Sequence, residues 1–108
     1  MMSESEYQHL ADAAFKRIED ALKDVDADDV DLERAGDVLT MTFKSGARCV
    51  INTQRPTRQV WLAANARAWH FSFDAEKSSW VDSKDSSSEL FATLARIIHE
   101  TASTTVSF

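Results

Sequence analysis

The sequence predicts an α+β fold, an α-β-sandwich with N- and C-terminal helices packed on one face of a five- to six-stranded antiparallel sheet. Three observations carry this. Apolar residues recur at helical spacing near both chain ends, whereas the middle alternates with period two. The connections between alternating stretches are short, as in an antiparallel meander. The 108 residues, 44% apolar with two glycines and one proline, suit one core and little irregular structure, a single domain over residues 1–108.

Ser3 with Glu6 predicts a capping box for the first helix. Tyr7, Leu10, Ala11, Ala14, Ile18, Ala21, Leu22 and Val25 follow as its apolar stripe, opposite Asp12, Lys16, Glu19, Asp20, Lys23 and Asp24. Strands are expected over 30–35, 38–43, 47–54, 58–64 and 68–75, with a shorter sixth over about 79–83. Gly36-Asp37 and Lys44-Ser45-Gly46 mark turns, and Arg55-Pro56-Thr57 interrupts the sheet. Ser86 with Glu89 predicts a second capping box, before a helix whose stripe is Leu90, Phe91, Leu94, Ile97 and Ile98. The small, polar end from about 101 to 108 is expected to fray.

Alternation assigns the sides of the sheet. Leu39, Met41, Phe43, Cys49, Ile51, Val60, Leu62, Trp69, Phe71 and Phe73 face the core. Thr40, Thr42, Arg48, Val50, Asn52, Gln54, Gln59, Trp61, His70 and Ser72 fall on the other side. Two helices with one stripe each cover one face only. The second face is therefore solvated, with Trp61 in its midst and facing water. Trp80 fits either side.

Charge is spread unevenly. Residues 1–37 carry a net charge of −8 and the remainder +2, within a total of −6. Between Lys44 and Arg67 stand five bases and no acid. The overall acidity argues against a nucleic-acid partner. No apolar run approaches the roughly 20 residues that span a bilayer, so no membrane role is expected. An acidic start without signal or presequence character and a single Cys49 fit a cytoplasmic protein.

Carboxylates crowd the end of the first helix and the start of the first strand: Glu19, Asp20, Asp24, Asp26, Asp28, Asp29, Asp31 and Glu33. Such a run is ordinarily a solvated charged face. Its density also raises self-repulsion, and carboxylates are hard ligands for hydrated divalent and trivalent cations. Manganese, calcium and cobalt are all among the ions that would suit them. Asp24-x-Asp26-x-Asp28 opens like a calcium loop, but Asp29 stands where that loop needs Gly and Ala35 where it needs Glu, so that reading fails.

On the open face, Asn52, Gln54, Gln59 and Trp61 form an aromatic anchor among amides, the make-up of a small binding hot spot. The alternative is a Trp61 covered by the stems of Arg48 or Arg58. His70 falls beside Trp61, either as part of that surface or as a plain surface histidine. His9 and His99 support no site. Cys49 reads as a small buried hydrophobe without a base, no glycine-rich phosphate loop exists, and the paired carboxylates lie on a wet ridge rather than in a dry cleft. No enzyme is expected.

The order α-β(6)-α and the motif Asn52-x-Gln54-x-Pro56-x-x-Gln59-x-Trp61-Leu62 together resemble the frataxin family, its bacterial members most closely. Ser5-Glu6-Tyr7, Leu10-Ala11-Asp12, Gly36-Asp37-Val38-Leu39-Thr40 and Trp69-His70-Phe71 extend the likeness over roughly Ser3 to His99. The resemblance implies weak surface binding of iron, ferrous or ferric, by Glu19, Asp20, Asp24, Asp26, Asp28, Asp29 and Asp31, with no preformed cage. Lys23 departs from the family's run of acids. The resemblance further implies that the ridge docks on a basic region of the cysteine desulfurase, and that the open face contacts the desulfurase and the iron–sulfur scaffold protein. The expected role is an iron-dependent regulator of iron–sulfur cluster assembly, monomeric without iron. The alternatives are a metallochaperone carrying ferrous iron to the scaffold and an acidic adaptor with no metal role.

Overall fold

The computed structural model describes residues 2–108 and has the predicted order. Helix α1 (Glu4–Leu22) is followed by β1 (Val30–Ala35), β2 (Val38–Phe43), β3 (Arg48–Gln54), a 3-10 turn (Arg55–Thr57), β4 (Gln59–Ala64), β5 (Arg67–Asp74), β6 (Ser79–Asp82) and α2 (Leu90–Ala102). The six strands form one antiparallel sheet in sequence order. Strand limits agree with expectation to within about a residue. Arg58 leaves β4 because its φ of 55° places it in the left-handed region that closes the 3-10 turn.

The helices cover one side of the sheet. Tyr7, Ala11, Ala14, Phe15, Ile18 and Leu22 of α1, with Leu90, Leu94, Ile97 and Ile98 of α2, meet Leu39, Met41, Cys49, Ile51, Val60, Leu62, Trp69 and Phe71. Trp80 joins this core, its ring at 6.2 Å from that of Tyr7 and 5.3 Å from that of Phe73. Phe73, expected in the core, is only partly buried, because it lines an open cleft with Leu10 and Arg17 of α1 and Phe91 of α2. Phe15, absent from the predicted stripe, is fully buried. The Tyr7 hydroxyl donates to the Gln59 carbonyl at 2.7 Å, tying α1 to the start of β4.

At the helix ends, one expectation holds and two are corrected. Ser3 Oγ accepts from the Glu6 amide at 3.1 Å, capping α1 as predicted. Ser86 does not cap α2. Glu89 is still extended (φ −113°, ψ 146°) because it bridges to Val81, so the helix starts at Leu90. The Glu89 carboxylate itself accepts from the Phe91 and Ala92 amides, each at 3.0 Å. The end of the chain, expected to fray, is seated instead. Val106 is buried, the Phe108 ring lies 5.6 Å from that of Phe91, and Arg17 donates to the Phe108 carbonyl at 2.8 Å. Two apolar side chains in an otherwise polar segment suffice to dock it.

Candidate functional site

Strand register builds the open face. Asn52 pairs with Trp61 and Trp61 with His70, giving one row across β3, β4 and β5. Gln54, Gln59 and Ser72 form the next row. Side chains in these rows point the same way, away from the helices.

They are also joined to each other. The Trp61 indole stacks on the His70 imidazole, with centroids 4.1 Å apart and planes 14° from parallel. Trp61 Nε1 donates to Gln59 Oε1 at 2.8 Å, and Gln59 Nε2 donates to Ser72 Oγ at 3.2 Å. Gln54 Nε2 donates to Asn52 Oδ1 at 2.8 Å. Trp61 is thus half-buried rather than fully turned to water, and the cover comes from His70. Arg58 is engaged within its own turn, through its Nη1 on the Arg55 carbonyl. The result is a flat patch of fixed rings and amides, each held in place before any partner arrives.

Asp82, a residue no sequence motif pointed to, secures one side of this patch. Its buried carboxylate accepts from the His70 amide at 2.9 Å, the Lys84 amide at 3.1 Å and the Asp85 amide at 3.0 Å. It finishes the β5–β6 ladder where β6 turns away.

The acidic ridge is built differently. Asp24, Asp26, Asp28 and Asp31 are exposed, and Asp29 is half-buried. Among the described residues, Asp24, Asp26, Asp28, Asp29 and Asp31 form no ion pair. Asp26 Oδ1 accepts from the Asp28 amide at 2.9 Å, which shapes the turn into β1. Among the described residues, no three His, Cys, Asp or Glu side chains converge as a metal site. The donors are hard oxygens spread over the end of α1, its connection and the start of β1, a set that suits hydrated cations held loosely.

Two expected ridge members are already engaged. Asp20 pairs with Lys16 at 3.4 Å, both well exposed. Glu19 receives Arg34 Nη1 at 3.0 Å. Beside this contact runs a cleft of about 320 Å³ between α1 and β1, with Glu19 and Asp31 on its walls alongside Lys23 and Arg34. Arg34 has no part in the sequence reading. The signal available was a base on β1 opposite a helix rich in acids.

Cys49 is wholly buried, and burial pushes its thiol up to about 12. It supplies no nucleophile at neutral pH. His9 and His99 are exposed and stand outside both patches. No helix among the described residues is long and apolar enough to cross a membrane.

Comparison with known proteins places this geometry. A family model described as a frataxin-like domain matches residues 1–104. The chain is 43% identical over 108 residues to the iron-sulfur cluster assembly protein CyaY of Paraburkholderia xenovorans, covering 99% of this chain and 98% of that one. The protein of the same name from Pseudomonas syringae pv. tomato is 39% identical, with 99% and 96% covered. Among solved structures, the frataxin of Psychromonas ingrahamii, of the CyaY family, superposes with a TM-score of 0.88 at 30% identity, covering 98% of this chain and 97% of that one. Trimeric frataxin from Saccharomyces cerevisiae, complexed with ferrous, gives a TM-score of 0.75 at 24% identity over 88% and 87%, a likeness of fold.

Proposed function

This chain belongs to the frataxin family, and we propose that it is a non-catalytic, iron-binding regulator of iron–sulfur cluster assembly. It acts in the cytoplasm as a monomer in the absence of iron. Its partners are the cysteine desulfurase and the iron–sulfur scaffold protein. Iron–sulfur cluster assembly proteins among its relatives support the process. The observation that carries the partner reading is the interlocked row Asn52–Trp61–His70 with its Gln54 and Gln59 neighbours, on the side of the sheet away from the helices. Fixed aromatics and amides lose little entropy on docking, which makes such a patch suited to a protein partner.

The ridge supplies the second half of the mechanism. Asp20, Asp24, Asp26, Asp28, Asp29 and Asp31, with Glu19 at the margin, attract a basic partner surface over a distance and raise the encounter rate. The same carboxylates hold iron weakly as cargo, so iron on the ridge lowers the charge that the partner meets. Trp61 and its neighbours then set the orientation. In the second reading, a metallochaperone, the exposed and unclustered donors serve rapid release of ferrous iron to the scaffold, with no effect on the desulfurase.

The test is anaerobic binding to the cognate cysteine desulfurase, once with chelator and once with ferrous iron, with desulfurase activity read alongside. Binding in both states with affinity or activity shifted by iron supports the regulator. Equal inhibition with and without iron removes the regulatory link. No binding in either state removes the desulfurase and leaves the iron carrier.

A further inference from the structure

We infer that Arg34 is a tethered counter-cation that withdraws Glu19 from the acidic ridge, so that the chain limits its own capacity for external cations. This deepens the reading of the ridge as an iron-binding surface and rests on it.

Arg34 leaves β1 toward α1 and is held there from several sides. Nη1 donates to Glu19 Oε1 at 3.0 Å, and Nη2 lies 3.8 Å from Asp12 Oδ1. Nε donates to the Gly36 carbonyl at 3.3 Å. The guanidinium carbon sits 5.2 Å from the Phe15 ring centroid, and that ring is locked in the core at 1% exposure. This pair is the better sheltered of the ridge's contacts. Arg34 and Glu19 side chains are 37% and 39% exposed, against 77% and 58% for Lys16 and Asp20.

The consequence for a metal ion is direct. A cation approaching Glu19 must either displace a guanidinium held by several contacts or share one carboxylate with it against like-charge repulsion. Glu19 is therefore closed to metal, while Asp20, in its exposed pair with Lys16, and the carboxylates from Asp24 onward stay open. Lys23 adds positive charge to the same cleft but forms no ion pair among the described residues, so it makes the local potential less negative without occupying a carboxylate.

The probe is Mn²⁺, an oxygen-seeking divalent ion without redox complications, titrated calorimetrically at low ionic strength. The proteins are the full chain and the variants E19Q, D24N, K23Q, R34Q and E19Q/R34Q, each checked for a wild-type-like melt. E19Q is expected to stay within about twofold of wild type, because Glu19 is already occupied, while D24N weakens binding more. R34Q should bind roughly three- to tenfold tighter, with the gain lost in E19Q/R34Q. K23Q, made also in the E19Q background, provides the control for bare charge, since its smaller gain should persist whether or not Glu19 is present. If E19Q weakens binding as much as D24N, or if the R34Q gain survives in E19Q/R34Q, the inference fails and the ridge reading stands. If neither wild type nor R34Q binds Mn²⁺, both fail.

Discussion

The open face and the acidic ridge are both polar surfaces of one small domain, yet they are organised on opposite principles. On the face, Trp61, His70, Gln59, Ser72, Asn52 and Gln54 hold one another at contact distances, and strand register sets their spacing. On the ridge, Asp24, Asp28 and Asp31 stand out in solvent without ion-pair partners among the described residues. Geometry governs the first and charge the second. A face of this kind discriminates between partners by shape and is little affected by salt. A ridge of this kind accepts any suitably charged object and weakens as ionic strength rises.

The largest effect should come from removing the support of the face. Asp82→Ala leaves three backbone amides without their acceptor and should cost about 3 kcal/mol of stability, read as a lower urea midpoint. A loss under about 1 kcal/mol would mean that water replaces the carboxylate and that the face does not depend on it.

Alkali offers a second way to attack the scaffold beneath the face. Burial raises the Cys49 thiol to about 12 and also raises the Tyr7 hydroxyl above its ordinary 10.0. For a group whose folded value is raised, stability is fully present below the unfolded value and is lost as pH rises toward the folded one. Stability should therefore be level up to about pH 9, then fall by about 1.4 kcal/mol per pH unit for Cys49 alone. Tyr7 adds to the loss above pH 10. Cys49→Ala should flatten the early part of this decline, which denaturant melts across pH 8–11 would resolve.

Next in size is the anchor itself. Trp61→Ala should weaken binding to the desulfurase by tenfold or more, about 1.4 kcal/mol or above, while leaving Mn²⁺ affinity unchanged. Loss of metal binding in this variant would show that face and ridge are not separate devices.

The smallest expected effect concerns the ridge. Replacing Asp24, Asp26 and Asp28 together with Asn should flatten the salt dependence of partner binding. It should also raise stability by up to about 1 kcal/mol at low salt, as self-repulsion is relieved. A salt dependence as steep as that of the wild type would move the electrostatic docking elsewhere.

Much of this contrast was legible in the sequence. Period-two alternation with short turns located all six strands and the side on which Trp61 and the amides fall, because one slip would exchange the faces. The ridge was legible as a density of carboxylates. What escaped was whatever depends on contact between elements distant in sequence. Arg34 reaches Glu19 only because β1 lies along α1. Glu89 replaces Ser86 as cap because a bridge to Val81 holds it extended. Alternation placed His70 beside Trp61, but not that its ring stacks flat on the indole and covers it. Val106 and Phe108 looked too few to dock a polar end until Phe91 and Arg17 were seen to receive it.

The unbroken neighbour-to-neighbour order of the strands bears on how the molecule comes into being. Each hairpin closes a short loop, so the sheet can zip outward from its middle at low entropic cost. Seating the two helices, by contrast, brings together residues as far apart as Arg17 and Phe108. The row on β3, β4 and β5 should thus be assembled early, and the contact of α1 with α2 and the last residues of the chain late. In pulse-labelled refolding, amides of Val50, Trp61 and Phe71 should gain protection before those of Ala14 and Ile18; the reverse order would make α1 the nucleus. A chain refolding on this route completes its row of stacked rings and amides before the helices close over the other side of the sheet.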